Sequence, residues 1–277
     1  ARLVADGGLL YFHIGDKNNQ FRESQNLVQV LDSTLGAENY ISQLVWKNKS
    51  GGGNDSEFFA QDHEYIFCYS TKRSEATLFE DPEAEVTTSY NRNDEHGAYA
   101  LERLDKQSIR YSASGDFVIT GPDGTEYRPR HKDPAAPNAT WRWSETKVRK
   151  DFAQLVFESG NVYTKNYKKD GAVPRSLLVD ERFGRTRTGK TDLYSLFADE
   201  VFKNPKPTKI ERFILNVSTN KTGSVIDPFG GSGTVAHAVI EQNRMDEGAR
   251  TYVLMEQGAH FDSVLLPRIA KAVFAQE

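Results

Sequence analysis

The feature that most constrains the fold is a glycine-rich turn between an apolar strand and a helix. Ser224-Val225-Ile226 is a short run with two β-branched residues, and it predicts a buried parallel strand that ends at Asp227. A helical pattern resumes over residues 234–240. Open α/β sheets bind nucleotide-like ligands at such a strand–turn–helix unit, because glycines let the backbone approach the ligand and the helix start offers unpaired N–H groups.

The residues of the turn narrow the choice of ligand. The turn reads Asp227-Pro228-Phe229-Gly230-Gly231-Ser232-Gly233-Thr234 and contains no lysine, which a phosphate-binding P-loop requires. A dinucleotide fingerprint needs a third glycine, and Val235-Ala236 offers at best a small substitute. The carboxylate before the glycines would repel phosphate but would attract an ammonium group. The turn therefore predicts a nucleotide-like ligand that carries positive charge.

Composition excludes several other classes of protein. The 277 residues can bury the core of one large or two modest domains, and no apolar run is long enough to cross a membrane. Cys68 is the only cysteine, which rules out an intramolecular disulfide and suits a reducing cytoplasm. The histidines have no metal-ligand spacing, so no metal is expected. The net charge of -4 means that any nucleic-acid signal must be local.

The N-terminal region has the pattern of half a mixed α/β sheet. Residues 9–14 and 40–46 and the run around Phe67 read as strands, with a helix over residues 21–35. His63-Glu64 could form an acid/base pair. We favour loop residues before a strand, because neighbours on a strand point to opposite faces.

The middle of the chain is locally basic. Residues 116–120 and 125–127 flank Pro122-Asp123-Gly124 and predict a hairpin, after which positive charge is interleaved with tryptophan. This pattern predicts a surface that follows nucleic-acid phosphates. The alternative is a solvated face whose tryptophans, Trp141 in particular, belong to a small core. The candidate DNA-binding residues are Arg128, Arg130, Lys132, Arg142, Lys147 and Arg149.

The segment before the glycine turn predicts two helices. A short helix is expected to begin near Thr191, with Thr191 or Asp192 as its cap. An amphipathic helix follows Lys206-Pro207-Thr208, and its N-terminus is expected to be available to an anion. After the turn, residues 250–256 read as a strand. Glu256 at its tip is placed to accept hydrogen bonds from ribose hydroxyls.

These motifs, in this order, resemble the beta class of DNA adenine-N6 methyltransferases. The turn matches all seven defined positions of the signature Asp-Pro-Phe-x-Gly-Ser-Gly-Thr at the S-adenosylmethionine site of amino-methylating enzymes. Within the class the chain is most similar to modification (Mod) subunits of type III restriction systems. The motifs that carry the resemblance are Asp6-Gly7-Gly8, Asp16, Trp46-Lys47, His63-Glu64-Tyr65-Ile66, Trp141-Arg142-Trp143-Ser144, Asn204-Pro205-Lys206-Pro207-Thr208 and the Asp227 octet.

The resemblance implies a fold and a domain organisation. The fold would be α/β, a mixed, mostly parallel Rossmann-like methyltransferase sheet with an inserted target-recognition region. Residues 1–72 would form part of the methyltransferase core, residues 73–190 the basic, DNA-contacting insert, and residues 191–277 the cofactor-binding part of the core.

The resemblance also implies roles for residues. S-adenosyl-L-methionine would be the cofactor, with Glu256 on its ribose and Lys206-Pro207-Thr208 closing its methionine end. The cofactor-binding residues at the turn would be Asp227, Pro228, Phe229, Gly231, Ser232, Gly233 and Thr234. The partners would be double-stranded DNA, a second copy of the chain and a restriction (nuclease-helicase) subunit, in the cytoplasm and without a membrane.

One departure from the family pattern bears on activity. The family's catalytic motif, Asp/Asn-Pro-Pro followed by an aromatic residue, should precede Asp6-Gly7-Gly8, and the chain contains no Pro-Pro. We therefore assign no catalytic residue, and we expect a chain truncated at its N-terminus. A degenerate, non-catalytic DNA-binding or assembly subunit is the alternative. A cytosine-N4 or an RNA methyltransferase also stays open, because the cofactor signature is shared.

Overall fold

The structure, a computed structural model, describes residues 3–16, 22–51, 58–86, 88–105, 110–131 and 138–274. The chain divides into two units, the first formed by Ala1–Ala84 with Gly171–Glu277 and the second by Glu85–Asp170. The second unit lies inside the insert expected over residues 73–190, and both flanks of that insert belong to the first unit. The assignment of functions to these segments stays a prediction.

The elements alternate between strands and helices along most of the chain. The strands are β1 Leu9–Ile14, β2 Tyr40–Lys47, β3 His63–Ser70, β4 Arg92–Asp94, β5 Gly97–Arg103, β6 Ile119–Thr120, β7 Glu126–Tyr127, β8 Leu155–Glu158, β9 Asn161–Tyr167, β10 Leu177–Leu178, β11 Ser224–Asp227 and β12 Thr251–Leu254. The helices are α1 Glu23–Leu35, α2 Glu145–Lys150, α3 Thr186–Tyr194, α4 Thr208–Ser218, α5 Thr234–Asp246 and α6 Leu266–Phe274. Of the helices in the described ranges, none has the length and apolar character that a membrane crossing requires.

The first unit contains two sets of paired strands. Four strands form a sheet in the order β1-β3-β2-β10, in which β3 is antiparallel to β1 and β2 while β10 is parallel to β2. Strands β11 and β12 form a separate parallel pair. Of the four pairs of named strands described in this unit, two are antiparallel and two are parallel. The mixed α/β class predicted from the sequence is therefore confirmed.

The central strand β3 places helices on both faces of its sheet. Phe67 and Tyr69 cluster with Leu31 of α1, whereas Ile66 clusters with residues of α4. Successive side chains on a strand point to opposite faces, so this alternation fixes one helix on each side. Helix, sheet and helix form the three layers expected of an α/β core.

Helix α4 joins the two strand sets of the first unit. Its buried residues Ile210, Phe213, Ile214 and Val217 recur at helical spacing and pack in one cluster with Trp46 of β2. On another side of α4, Leu215 packs with α5 and with the β11–β12 pair. Full burial of each such side chain contributes about 1.5–3 kcal/mol. The amphipathic helix predicted here is confirmed, and it anchors the strand that leads into the glycine turn.

Helix α3 begins earlier than the sequence suggests. It starts at Thr186, not near Thr191, so the predicted helix start was wrong. Gly189 lies in its interior, where glycine lowers helix propensity and hides the pattern. The glycine is required by packing, because a Cβ there would lie 2.2 Å from the carbonyl oxygen of Pro205.

The second unit is built on an antiparallel sheet in the order β4-β5-β9-β8. The predicted hairpin is confirmed as the short pair β6–β7. Trp141 is 4% exposed, and its Nε1 donates to the carbonyl oxygen of Phe117 at 2.9 Å. Trp141 is thus a core residue, with Leu104, Ile119, Val148, Leu155 and Val162.

Candidate functional site

The glycine turn lies at the carboxyl ends of two parallel strands. Asp227, the last residue of β11, pairs in register with Leu254, the last residue of β12. Gly231 and Gly233 have φ values of +52° and +77°, in the left-handed region that favours glycine. Helix α5 begins at Thr234 immediately afterwards. The predicted order of strand, turn and helix is confirmed, including the residues at which β11 and α5 begin.

Glu256 closes the turn from the neighbouring strand. It lies two residues beyond β12, so the expectation that Glu256 ends the strand was wrong. Its Oε2 accepts the N–H of Gly231 at 2.9 Å, and its Oε1 accepts the N–H groups of Gln257 and Gly258 at 2.8 Å. The N–H of Gly258, the imidazole of His260 and the N–H of Gly231 lower the pKa of Glu256 to about 2. A permanent negative charge therefore lies against the turn.

Asp227 is the second acidic group at the turn. Burial raises the pKa of its carboxyl group, the N–H of Phe229 lowers that pKa, and the charge of Glu256 raises it again. The Oδ1 atom of Asp227 accepts the Phe229 N–H at 3.0 Å and fixes the carboxylate at the strand end. A positively charged ligand group would relieve both the burial and the repulsion.

Contacts tie the segment Lys206-Pro207-Thr208 to the glycine turn. The Oγ1 atom of Thr234 donates to the carbonyl oxygen of Lys206 at 3.3 Å. The Lys206 ammonium group forms an ion pair with Glu64 of β3 and lies 4.9 Å from the centre of the Trp46 ring. The structure therefore places this segment beside the Asp227 turn, and its role at the methionine end of a cofactor stays a prediction.

The prediction that the start of α4 is available to an anion was wrong. Asp192 of α3 already fills it, with its Oδ2 accepting the N–H of Thr208 at 2.9 Å and the Thr208 hydroxyl at 3.3 Å. Asp192 lies inside α3, which extends to Tyr194, so it does not cap its own helix. Its carboxylate instead caps the N-terminus of α4.

The expectation for His63 and Glu64 also needs correction. They are the first two residues of β3, not loop residues. His63 Nε2 lies 3.1 Å from the hydroxyl oxygen of Tyr65, while Glu64 Oε1 accepts from Asn48 at 2.8 Å. Because strand neighbours point to opposite faces, the two side chains have different partners and do not form an acid/base pair.

Two aromatic residues that the sequence reading missed lie beside the turn. The rings of Phe202 and His260 meet edge to face, with centroids 5.4 Å apart. The Phe202 ring is 3.8 Å from the position that a Cβ on Gly231 would take. Phe229 in the turn is 86% exposed. Phe202 and Phe229 thus provide apolar rings beside the acidic groups, while His260 Nε2 lies 3.1 Å from Oε2 of Glu256. The sequence signal for Phe202 is an isolated phenylalanine shortly before Lys206.

The predicted DNA-binding residues divide into two groups in the second unit. The first group is ion-paired. Nη1 of Arg142 lies 2.9 Å from Oε2 of Glu102. On α2, Nζ of Lys147 lies 2.6 Å from Oδ2 of Asp151, and Nη2 of Arg149 lies 2.5 Å from Oε1 of Glu145. Arg128 and Arg130 are exposed and have no ion-pair partner among the described residues. Lys132 lies outside the described residues.

Comparison with curated proteins finds modification enzymes. The chain is 27% identical over 269 residues to the StyLTI Mod subunit of a type III restriction-modification enzyme from Salmonella typhimurium, covering 91% of this chain and 38% of that protein. It is 26% identical to the type III EcoPI Mod subunit of Escherichia phage P1, covering 92% and 43%, and 26% identical to the type II methyltransferase M.KpnI of Klebsiella pneumoniae, covering 92% and 63%. The chain spans less than two thirds of the length of these relatives.

Solved structures give more distant likenesses. The M1.HpyAVI–SAM complex matches with a TM-score of 0.42 and 12% identity, over 97% of this chain and 77% of that one. The cytosine-N4-specific PvuII DNA methyltransferase matches with a TM-score of 0.47 and 11% identity, over 95% and 64%.

The family comparison covers nearly the whole chain. The sequence model of the DNA methylase family for N6 and N4 methylation matches residues 1–262. This match includes the Asp227 turn and Glu256, and it agrees with the resemblance to type III Mod subunits. The chain therefore belongs to the N6/N4 DNA methylase family.

Proposed function

We propose that the chain is the cofactor-binding and DNA-recognition portion of a site-specific DNA adenine-N6 methyltransferase of a restriction-modification system. One observation carries the proposal: Asp227, at the end of β11, and Glu256, two residues beyond the parallel strand β12, converge on a single turn with two left-handed glycines. Open α/β sheets bind nucleotide-like ligands at this edge.

The residues at the turn fit S-adenosyl-L-methionine, which is the cofactor of the family. When bound, this cofactor supplies a methyl group on a positively charged sulfur. Asp227 offers a carboxylate for its ammonium group, and Glu256 offers acceptors for its ribose hydroxyls. Phe229 and Phe202 offer apolar surface for an adenine ring.

The chain's own residues would bind and orient the cofactor. Pro228, Gly231, Ser232, Gly233 and Thr234 shape the turn around it. Lys206-Pro207-Thr208 would border its methionine end, because Thr234 holds the Lys206 carbonyl oxygen. Positioning a methyl donor against a fixed acceptor is the main way in which such a site lowers a barrier.

The second unit would contact double-stranded DNA. Arg128 and Arg130 are the first candidates, because no carboxylate neutralises them within the described residues. Arg142, Lys147 and Arg149 are weaker candidates, because each is already ion-paired. A homodimer, a restriction subunit as partner and a cytoplasmic location complete the proposal, on the resemblance to type III Mod subunits.

Calorimetric titration with S-adenosylmethionine tests the cofactor site. The Asp227→Asn variant should lose at least about tenfold in affinity, since it removes one charged contact. Asp123→Asn is the matched control: Asp123 Oδ1 also accepts the N–H two residues ahead at 3.0 Å, but it lies in the hairpin of the second unit. A folded wild-type chain without measurable affinity would overturn the proposal.

Analysis of methylated nucleosides tests the target base. DNA treated with labelled cofactor and an intact enzyme that carries the catalytic motif should release N6-methyldeoxyadenosine, which we do not expect of these 277 residues alone. Release of N4-methyldeoxycytidine would instead support the cytosine-N4 alternative. Cofactor and DNA binding by that enzyme without any labelled nucleoside would support the non-catalytic subunit, the alternative that the missing Pro-Pro motif raises.

A further inference from the structure

A buried arginine lies directly behind the glycine turn. Arg268 of α6 is 0% exposed, and no carboxylate lies within ion-pair distance of it among the described residues. Burial lowers the pKa of Arg268 to about 10, so it stays charged at neutral pH. A buried cation without an ion pair is destabilising unless its donors are well used. Its hydrogen bonds therefore indicate what it does.

The bonds of Arg268 converge on the turn and the first turn of α5. Its Nη1 donates to the carbonyl oxygen of Ser232 at 3.2 Å, to the Ser232 hydroxyl at 3.1 Å and to the Thr234 hydroxyl at 2.9 Å. Its Nε donates to Nδ1 of His237 at 3.3 Å. Ser232 lies between the two left-handed glycines, Gly231 and Gly233. Glycines allow a wide range of backbone conformations, so the bonds from Arg268 to Ser232 restrict a segment that would otherwise be free to reorient.

His237 supports this arrangement from α5. Its Nδ1 accepts from Arg268, which assigns the proton of the neutral ring to Nε2, and Nε2 lies 3.2 Å from Glu241. Burial and the charges of Arg268 and Arg244 lower the pKa of His237 to about 4. The imidazole is therefore neutral at pH 7, as an acceptor must be. Arg268 thus directs Nε and Nη1 to this network, while its buried Nη2 has no hydrogen-bond partner among the described residues.

We propose that Arg268 is a positioning residue for the cofactor turn. It touches no ligand itself but fixes Ser232 and Thr234 from the buried side, so that α6 belongs to the cofactor site. Through the bond from Thr234 to the Lys206 carbonyl oxygen, it also holds the segment that borders the methionine end. This inference rests on the proposed binding of S-adenosylmethionine.

The test compares two buried arginines of the same unit. Arg250 is 6% exposed and bonds Thr219 at 3.1 Å and Asp246 at 3.0 Å, at the opposite end of α5 from the turn. Arg268→Met and Arg250→Met each remove one buried cation, and both should lower the melting temperature. Affinity for S-adenosylmethionine is then measured by calorimetry well below the lower melting temperature.

Only Arg268→Met should weaken cofactor binding, by about tenfold or more, while Arg250→Met should stay within about twofold of the wild type. Equal losses in both variants, or no loss in Arg268→Met while the wild type binds, would overturn the role of Arg268. A folded wild type that does not bind would instead contradict the cofactor site itself, so the two failures are distinguishable.

Arg268→Lys is the second variant to measure, and it is the one to use if Arg268→Met does not fold. A lysine keeps the charge and some of the donors but loses the planar fork. We expect its affinity to lie about threefold or more below the wild type, and above Arg268→Met where that variant folds. Wild-type affinity in Arg268→Lys, or no recovery over Arg268→Met, would contradict a role that depends on these hydrogen bonds.

Discussion

The Nε2 atom of His13 lies 3.6 Å from Oε1 of Glu211, between β1 and α4, yet the two side chains are not a conventional ion pair. Burial, with a smaller contribution from the charge of Lys206, lowers the pKa of His13 to about 3. Burial and the charge of Asp227 raise the pKa of Glu211 to about 7, against the opposite effect of Lys206. Desolvation outweighs attraction here, so the imidazole is neutral and the carboxyl keeps its proton up to neutral pH.

Glu211→Gln should stabilise the protein at alkaline pH and not at acidic pH. The folded state binds the Glu211 proton more tightly than the unfolded chain, so its contribution to the free energy of unfolding falls as pH rises from about 4.5 through about 7. A rise in pKa from 4.5 to about 7 corresponds to a penalty of about 3 kcal/mol above that window. Thermal unfolding at pH 5 and pH 8 measures it.

The matched control for Glu211 is Glu126→Gln, because Glu126 is an exposed glutamate on β7. Its substitution should change the melting temperature little at either pH. His13 is present in the wild type and in both variants, so its own titration cancels in the comparison. A gain for Glu211→Gln that is the same at pH 5 and pH 8 would refute the raised pKa.

Gly233→Ala should weaken cofactor binding. At φ +77° an alanine is strained by about 1–2 kcal/mol, and its Cβ would also lie 3.3 Å from Leu265. Gly124→Ala in the hairpin is the control, with φ +80° and nothing within 4 Å of the added Cβ. We expect backbone strain in both and a loss of affinity for S-adenosylmethionine, about tenfold or more, only at Gly233. Equal affinities would argue against a rigid turn.

The two acidic residues of the turn should give different pH dependences of cofactor binding. The pKa of Asp227 is raised, so it takes up a proton first as pH falls and loses its attraction for an ammonium group. The pKa of Glu256 is about 2, so its charge persists. Binding should therefore weaken as pH falls below 7 in the wild type, and less steeply in Glu256→Gln, because the charge of Glu256 contributes to the raised pKa of Asp227. The slope should be smallest in Asp227→Asn, which has no carboxyl group at this position. Calorimetry across this range would contradict the assignment if Asp227→Asn kept the wild-type slope.

Local sequence patterns predicted the glycine turn well, but they did not predict the distant residues that hold it in place. The run Ser224-Val225-Ile226, the glycines and the helix start at Thr234 are encoded within one short stretch, and the structure reproduces them. Arg268 and Glu64 carry no such signal, because they reach the turn and Lys206 from distant parts of the chain. Contacts at that separation depend on how α6 and β3 pack, which periodicity does not specify.

Charge patterns had a similar limit in the second unit. A run of arginines and lysines indicates positive charge but not whether acidic residues neutralise it. Glu102 lies 40 residues before Arg142 and pairs with it across the unit, so the sequence could not separate Arg142 from Arg130. Trp141 was equally ambiguous until its burial assigned it to the core.

Arg130→Ala should weaken DNA binding more than Arg92→Ala, although each removes one positive charge from the second unit. Arg92 already pairs with Glu158 at 2.8 Å, whereas Arg130 is exposed without an ion-pair partner among the described residues. A direct phosphate contact releases about one counterion, so the slope of log affinity against log salt should fall by about one in Arg130→Ala and by less in Arg92→Ala. Fluorescence anisotropy with duplex DNA at several salt concentrations measures both slopes. Equal slopes in the two variants would mean that Arg130 acts only through net charge, and that the DNA contact of this unit lies elsewhere.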